Sequence, residues 1–470
     1  MSYPLIILGG GLSGLAAGIR YGRFGNKVLI VEQHSKVGGL NSYYRRQGYL
    51  FETGLHAITN YAPPEDKHAP LNLLFRQLKL SRQQFLTHEQ LASEIVFPGR
   101  GSLTFTNDFS YLKDEIARLF PGEIDRFTAL VAEMDGFDPF APRPWLSTRQ
   151  RLSAALNDQL LIDFLLCPMM FYGSSQEDDM DFSQFVILFR SIFQEGFFRP
   201  HGSMKDFLDQ LRDQYLSFGG ELRLKSRVEK IMTGGVHGKK KIIGIQLYSG
   251  ERLYCDRLLS TIGWPETLGL LDDPAIAKTE GTELAGRLSF LESVYVLPQE
   301  ARDSLTQNRT IIFFNLADRF QYRRPADAVD LNSGVICFPD NFKNLKKRKT
   351  FQLRITHIAN FDKWRQVFMV GGREQYNEMK AAARRASGRV VGKIIGNFQE
   401  NIVYEDSFTP LTIERFTSRM QGAVYGSPRK IKDGRTSYAN LFLAGTDQGF
   451  LGIIGSMLSG VSMVNHHLLA

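Results

Sequence analysis

Six residues, Gly9-Gly10-Gly11-Leu12-Ser13-Gly14, sit between an apolar run ending at Leu8 and a helical pattern from Leu15 to Phe24. The run Pro4-Leu5-Ile6-Ile7-Leu8 suits a parallel strand covered on both faces. Gly9 permits a tight turn, Gly11 lets backbone approach a pyrophosphate, and Gly14 lets the helix pack closely on the strand. The helix start offers free N–H groups and a positive dipole end to phosphate. A second apolar run, Lys27-Val28-Leu29-Ile30-Val31, ends at Glu32, 18 residues beyond Gly14. A carboxylate there accepts hydrogen bonds from ribose hydroxyls and disfavours a 2′-phosphate, so NADP is not expected in this unit. Glycines cluster in turns for many reasons, but strand, glycines, helix, strand and acid occur here in order. Leu12, Ser13 and Gln33 join Gly9, Gly11, Gly14 and Glu32 as candidate nucleotide contacts.

The rest of the chain limits the class of protein. With 470 residues and 43% hydrophobic content, it can bury a large core, and 23% charged residues argue against global disorder. Its 35 phenylalanines imply either a large aromatic core or the lining of an apolar ligand tunnel. The formal charge is +8, yet the basic runs are short: Lys239-Lys240-Lys241 between two strand-like segments, and Lys346-Lys347-Arg348-Lys349. Both read as solvated loops, the second also as a surface-docking patch, and no nucleic-acid-binding signature accompanies them. Cys167, Cys255 and Cys337 support neither a disulfide framework nor a metal site, and fit a reducing compartment. The apolar N-terminus lacks a basic flank, and Asp447 and glycines interrupt the apolar stretch 441–464. The expectation is a cytoplasmic protein, at most peripheral to a membrane, with no metal and no nucleic-acid partner. Its oligomeric state leaves no trace in the sequence.

Six residues after Glu32 comes a second glycine pair, Gly38-Gly39. This resembles the extended dinucleotide motif of the glutathione-reductase-type and amine-oxidase-type flavoproteins, and so implies FAD. Many members continue with Arg; here Leu40 follows, so any side-chain contact to phosphate must come from elsewhere. Near the other end, Asn440-Leu441-Phe442-Leu443-Ala444-Gly445-Thr446-Asp447 reads as a buried strand and turn, then a Gly-rich helix start over 449–455. In the resembling families this strand returns beside the first one, and its terminal acid binds the ribityl or pyrophosphate region. The next helix points its N-terminus at the flavin O2 carbonyl, where its dipole stabilises negative charge. The resemblance therefore adds Gly38, Gly39, Leu40, Gly445, Asp447 and Ile454 as cofactor contacts, with a backbone group near Val228 against adenine.

Further stretches resemble the phytoene desaturase, carotenoid isomerase and retinol saturase superfamily. They are Gly48-Tyr49-Leu50-Phe51-Glu52-Thr53-Gly54-Leu55-His56, Phe198-Arg199-Pro200-His201-Gly202-Ser203-Met204, Thr409-Pro410-Leu411-Thr412 and Gly422-Ala423-Val424-Tyr425-Gly426. The implied fold combines α/β and α+β parts. A Rossmann-type, glutathione-reductase-like FAD domain is formed from 1–62, 200–265 and 405–470, and a mixed-sheet and helical substrate domain from 63–199 and 266–404. The implied chemistry is hydride transfer between flavin N5 and a hydrophobic polyene or isoprenoid-like substrate, giving desaturation, saturation or isomerisation. His56 is singled out as the catalytic candidate because the matching position lies near the flavin edge. A lone histidine in an apolar segment also reads as a hydrogen-bonded core residue. Tyr425, a strand residue near the ring, and His201, a loop residue, have weaker cases.

Two other readings compete. One is an amine oxidase-type enzyme for a small amine, which a short polar pocket with an aromatic cage favours; the other is a non-catalytic flavin-binding scaffold. Between Pro63 and Arg199 the pattern is largely helical, with runs at 111–134 and 149–166. The aromatic stretch Phe185 to Phe198 reads as a buried helix with one polar edge, or else as a cover for a lipid tunnel or a segment dipping into a membrane surface. Strand-like runs at 290–297, 310–314, 335–338 and 351–355 suggest a sheet flooring the substrate cavity, followed by a helix at 373–396.

Overall fold

A computed structural model of the chain describes residues 2–54, 57–236, 239–272 and 284–469. The first strand, Ser2–Leu8, runs parallel to Val28–Val31 on one side and to Arg252–Ser260 on the other. Leu5 and Ile7 pack toward the helices Leu12–Gly22 and Gly452–Met463, whereas Ile6 and Leu8 pack against Leu258, Leu441 and Leu443. Both faces are covered, which is why the run is apolar without alternation. Glu221–Arg223 extends the sheet beyond Val28–Val31. On the other side the hairpin Val228–Val236 and Lys239–Leu247 leads into Arg252–Ser260.

Two expectations are corrected here. The strand at 252 does not end with its hairpin: Arg257–Ser260 continues parallel to the first strand. As a result Leu441–Leu443 pairs with Leu258–Ser260 and not with the first strand, whose flank is already taken.

A second sheet has the order Tyr404–Phe408, Ser289–Pro298, Thr350–Ala359, Ser333–Cys337, Ile311–Asn315, Ser93–Phe97 and Gly101–Phe105. Its four central strands fall where the sequence places them. The strands Ser93–Phe97 and Gly101–Phe105 lie in a region read as largely helical, so that reading is too simple. One face of this sheet meets the helices between Phe109 and Phe189; the other carries Leu353, Ile355 and Ile336 against Val391 and Ile395 of the helix Phe361–Ile395. That helix breaks at Gly372 (φ 67°, ψ −163°), so its second segment starts at 373 as expected.

Most phenylalanines between Phe97 and Phe342 pack into the first of these cores, in favour of an aromatic core as their main use. The stretch after Phe185 is likewise interior: Phe185, Phe189, Ile192 and Phe193 are fully buried. The run 111–134 is two helices, Phe109–Leu119 and Ile124–Gly136, divided at Pro121-Gly122. No described helix is long and apolar enough to cross a membrane. Among the described residues no cluster of three His, Cys, Asp or Glu side chains could hold a metal.

Candidate active site

The glycine loop closes the first strand through the Gly9 N–H, which donates to the Val31 carbonyl at 2.9 Å. A Cβ on Gly14 would sit 2.0 Å from the Gly9 carbonyl oxygen, so the close packing of helix on strand excludes any side chain there. Gly11 differs. A Cβ on it would meet nothing within 4 Å, because Gly11 faces an open cavity of about 900 Å³. The Gly38 N–H donates to the Gly10 carbonyl at 2.9 Å, and a Cβ on Gly39 would lie 3.6 Å from the Gly11 Cα. The second glycine pair is therefore docked on the first loop, and both pairs form one wall.

Glu32 is buried at this wall. One carboxylate oxygen accepts from the Gly10 N–H at 2.7 Å, the other from the His34 N–H at 2.9 Å. A carboxylate has about four acceptor positions, so these bonds fix its orientation and leave capacity toward the cavity. Gln33 continues the wall and exchanges hydrogen bonds with Ser418 at 3.0 and 3.2 Å, tying it to the end of the helix Pro410–Thr417. Val228 lines the far end with Tyr248 and Arg227, whose guanidinium lies 4.8 Å from the Tyr248 ring.

Of the other expected contacts, Leu12, Ser13, Leu40 and Gly445 line the cavity, and Asp447 and Ile454 do not. Asp447 is turned inward. Its oxygens accept from the Ser427 N–H at 2.9 Å and the Trp264 N–H at 2.6 Å, so it braces the loops behind the wall. Thr446 lines the cavity in place of Asp447, and Ile453 in place of Ile454. Gly452 and Ile453, at the start of the last long helix, face the cavity with N–H groups that no earlier turn can use.

Arg419 was missed by sequence reasoning. It lines the cavity, donates to the Thr446 hydroxyl at 2.9 Å, and lies 3.5 Å from Asp447 and 3.7 Å from Glu266. Burial pushes the Glu266 carboxyl up. The buried Nη1 of Arg419 has no hydrogen-bond partner among the described residues. The one sequence signal was a lone base immediately before the Gly422–Gly426 stretch. These residues fit a dinucleotide: glycine backbone with no side chain in the way, a carboxylate at ribose distance from the loop, a cation, and a helix start.

The same cavity continues to the second sheet. Phe290, Glu292, Val335 and Thr356 stand on it as a floor, with Glu292, Thr356 and Val335 in register across adjacent strands. Arg354, two residues from Thr356 and fully buried, ion-pairs with Glu292; burial pushes its guanidinium down to about 10. Phe171, Tyr172, Val424 and Tyr425 complete this inner part. Tyr425 is in a turn and not a strand, packs edge-on to Phe290 at 6.0 Å, and donates its hydroxyl to the Phe171 carbonyl. Burial also pushes its phenol up, so it serves as wall more readily than as acid. His201 lies off the cavity on the surface, 3.0 Å from His88. His56 lies outside the described residues.

A parallel-stranded nucleotide unit joined through one cavity to a second, largely antiparallel sheet is the architecture of a flavin-dependent oxidoreductase. Residues 12–297 match the family described as flavin containing amine oxidoreductase, and the chain belongs to that family. It is an FAD-dependent oxidoreductase. It is similar to the all-trans-retinol 13,14-reductase of Danio rerio (21% identity over 98% of this chain and 86% of that protein). Prolycopene isomerase 1 of an Oncidium hybrid cultivar is 22% identical over 100% of this chain and 84% of its own length. Among solved structures, an oxidoreductase from Methanosarcina mazei superposes with a TM-score of 0.68 at 15% identity, covering 99% and 100% of the two chains. A putrescine oxidase bound to putrescine superposes at 0.64 and 14% identity, covering 100% of both.

Proposed function

We propose that the enzyme exchanges hydride between FAD and a hydrophobic polyene or isoprenoid-like substrate, in desaturation, saturation or isomerisation. The observation that carries this reading is the inner wall: Phe171, Tyr172, Phe290, Val335 and Val424 surround one carboxylate, Glu292, that is already neutralised by Arg354. An ammonium substrate taken from water is held by an uncompensated acid or by cation–π contact with aromatic faces, and this wall supplies no uncompensated acid among the described residues. An extended apolar chain needs only burial. The relatives named for retinol and prolycopene support the same reading over nearly the whole chain.

FAD, when bound, supplies a two-electron hydride donor or acceptor at flavin N5. The chain's own residues do the rest. Gly11, Gly39, Leu12, Ser13 and Thr446 would cradle the pyrophosphate, Glu32 the ribose and Val228 the adenine, with Arg419 as the cation that Leu40 does not provide. The N-terminus of Gly452–Met463 would favour negative charge at the flavin. Phe290 and Val335 would hold the substrate chain and exclude water. His56 is proposed as the group that orients the substrate or delivers its proton. The division into an FAD domain and a substrate domain belongs to this proposal. The pairing of Tyr404–Phe408 with Ser289–Pro298 moves its last boundary beyond that strand.

Anaerobic mixing of the FAD-loaded enzyme, both oxidised and reduced by dithionite, with a polyene alcohol, a polyene hydrocarbon and putrescine separates the readings. The expected result is a shift of polyene absorbance or isomer pattern, with putrescine inert. Rapid flavin bleaching by putrescine, with both polyenes unchanged, would falsify the proposal.

A further inference from the structure

The long helix Phe361–Ile395 breaks at Gly372, and the three residues ahead of the glycine pair are apolar and stand in solvent. Phe368 is 44% exposed, Met369 70% and Val370 84%. Single exposed apolar residues are ordinary, but three in succession at a projecting helix break form a patch. The basic side chains of Lys363, Arg365 and Arg373 are exposed around it. The acids nearby are Asp362, engaged by Arg324 at 2.6 Å, Glu374 and Glu378 on this helix, and Glu414 on the next.

The tip is linked to the cavity. The Phe368 ring lies edge-on to Tyr376 at 5.7 Å, and the Tyr376 hydroxyl is 2.7 Å from Thr409 and 3.4 Å from Thr412. Thr412, Ile413 and Phe416 line the cavity from Pro410–Thr417, and Phe416 is itself 53% exposed at its rim. The rim also carries Lys36, Arg45 and Arg46, all exposed.

We propose that Phe368-Met369-Val370 is a membrane-docking tip that inserts into an anionic bilayer surface and sets the rim of the cavity against the lipid, from which an apolar substrate enters. The occupant follows from size and charge. A stable protein partner requires about 800 Å² on each side, far more than three side chains at one helix break offer. A bilayer requires only a few apolar side chains beside cations that reach the head groups. The loading step rests on the hydrophobic-substrate reading above; the docking itself does not.

The test is sedimentation of the FAD-loaded enzyme with vesicles of equimolar phosphatidylglycerol and phosphatidylcholine, or of phosphatidylcholine alone. The expected result is binding favouring the anionic vesicles and, in the double variant Met369→Asp/Val370→Asp, a loss of roughly tenfold or more in bound fraction. A control, Phe140→Ala/Trp145→Ala, alters two other exposed aromatic side chains and is expected to bind as the parent does. Three results would overturn the proposal: a parent enzyme that stays in the supernatant, a double variant that binds undiminished, or a parent dimer in analytical ultracentrifugation that dissociates in the variant. Both mutated side chains are largely in solvent, so equal flavin absorbance confirms intact variants. Turnover of a polyene dispersed in detergent, expected to be unchanged in the variant, reports separately on the substrate reading.

Discussion

Two glycines three residues apart do opposite work, and substitution separates them. Gly11→Ala adds a methyl to open cavity at a backbone φ of −74°, so the FAD-free protein is expected to keep its stability within about 1 kcal/mol. Its flavin absorbance per protein is expected to fall sharply after gel filtration. Gly14→Ala drives a methyl onto the Gly9 carbonyl and is expected to cost at least about 2 kcal/mol in the FAD-free protein, read by denaturant titration. Glu195 offers a pH signature: burial raises its carboxyl to about 7 while Asn60 donates to it at 2.7 Å. Its folded value lies above the unfolded one, so the folded state holds the proton longer. Stability from this group is complete below the unfolded value near 4.5 and is lost as pH rises through about 7. Relative to Glu195→Gln, the parent should lose at most about 3 kcal/mol over that window, measured by chemical denaturation at each pH. The glycines were legible because backbone demands are written in residue type. Asp447 was read as a cofactor contact, but the fold turns it away from the cavity, since which way a carboxylate turns depends on the Ser427 and Trp264 amides brought to it. Arg419 was silent for the same reason.

At the level of elements, the helix Pro410–Thr417 lines the cavity between the glycine-loop wall and the second sheet. It is fixed by a capping box in which the Thr409 hydroxyl accepts from the Thr412 N–H, and by the Tyr376 hydroxyl packed against both. Thr409→Ala is expected to cost about 1–2 kcal/mol and to raise hydrogen exchange across 410–418 selectively. If exchange rose uniformly along the chain, the helix would not be a separate unit of the wall. Element types followed from the sequence wherever one periodicity dominated: four strands of the second sheet alternate or run apolar, and the break at Gly372 was marked by a glycine pair. The strands Ser93–Phe97 and Gly101–Phe105 escaped because helices flank them in sequence, although they are no shorter than strands that were found. The parallel continuation of Arg252–Ser260 escaped because its partner is some 250 residues away, and no local pattern records that pairing.

In the whole molecule, one cavity touches the N-terminal loop, the second sheet and the last helix, so a ligand filling it binds only the assembled state. FAD at a hundredfold excess over its Kd is expected to add about 2.7 kcal/mol to stability and to raise Tm accordingly. A chain cut after Asn440 should show no such gain, because Gly445, Thr446 and the helix start at Gly452 are gone. The central place of Ser2–Leu8 carries a consequence in time. The strand leaves the ribosome well ahead of its neighbour Arg252–Ser260, which follows at translation speeds only after about ten seconds or more, with Leu441–Leu443 later still. Through that interval this buried apolar strand has one flank open. Cofactor capture therefore waits until the helix Gly452–Met463 has been made, and Leu5 to Leu8 need shielding until then.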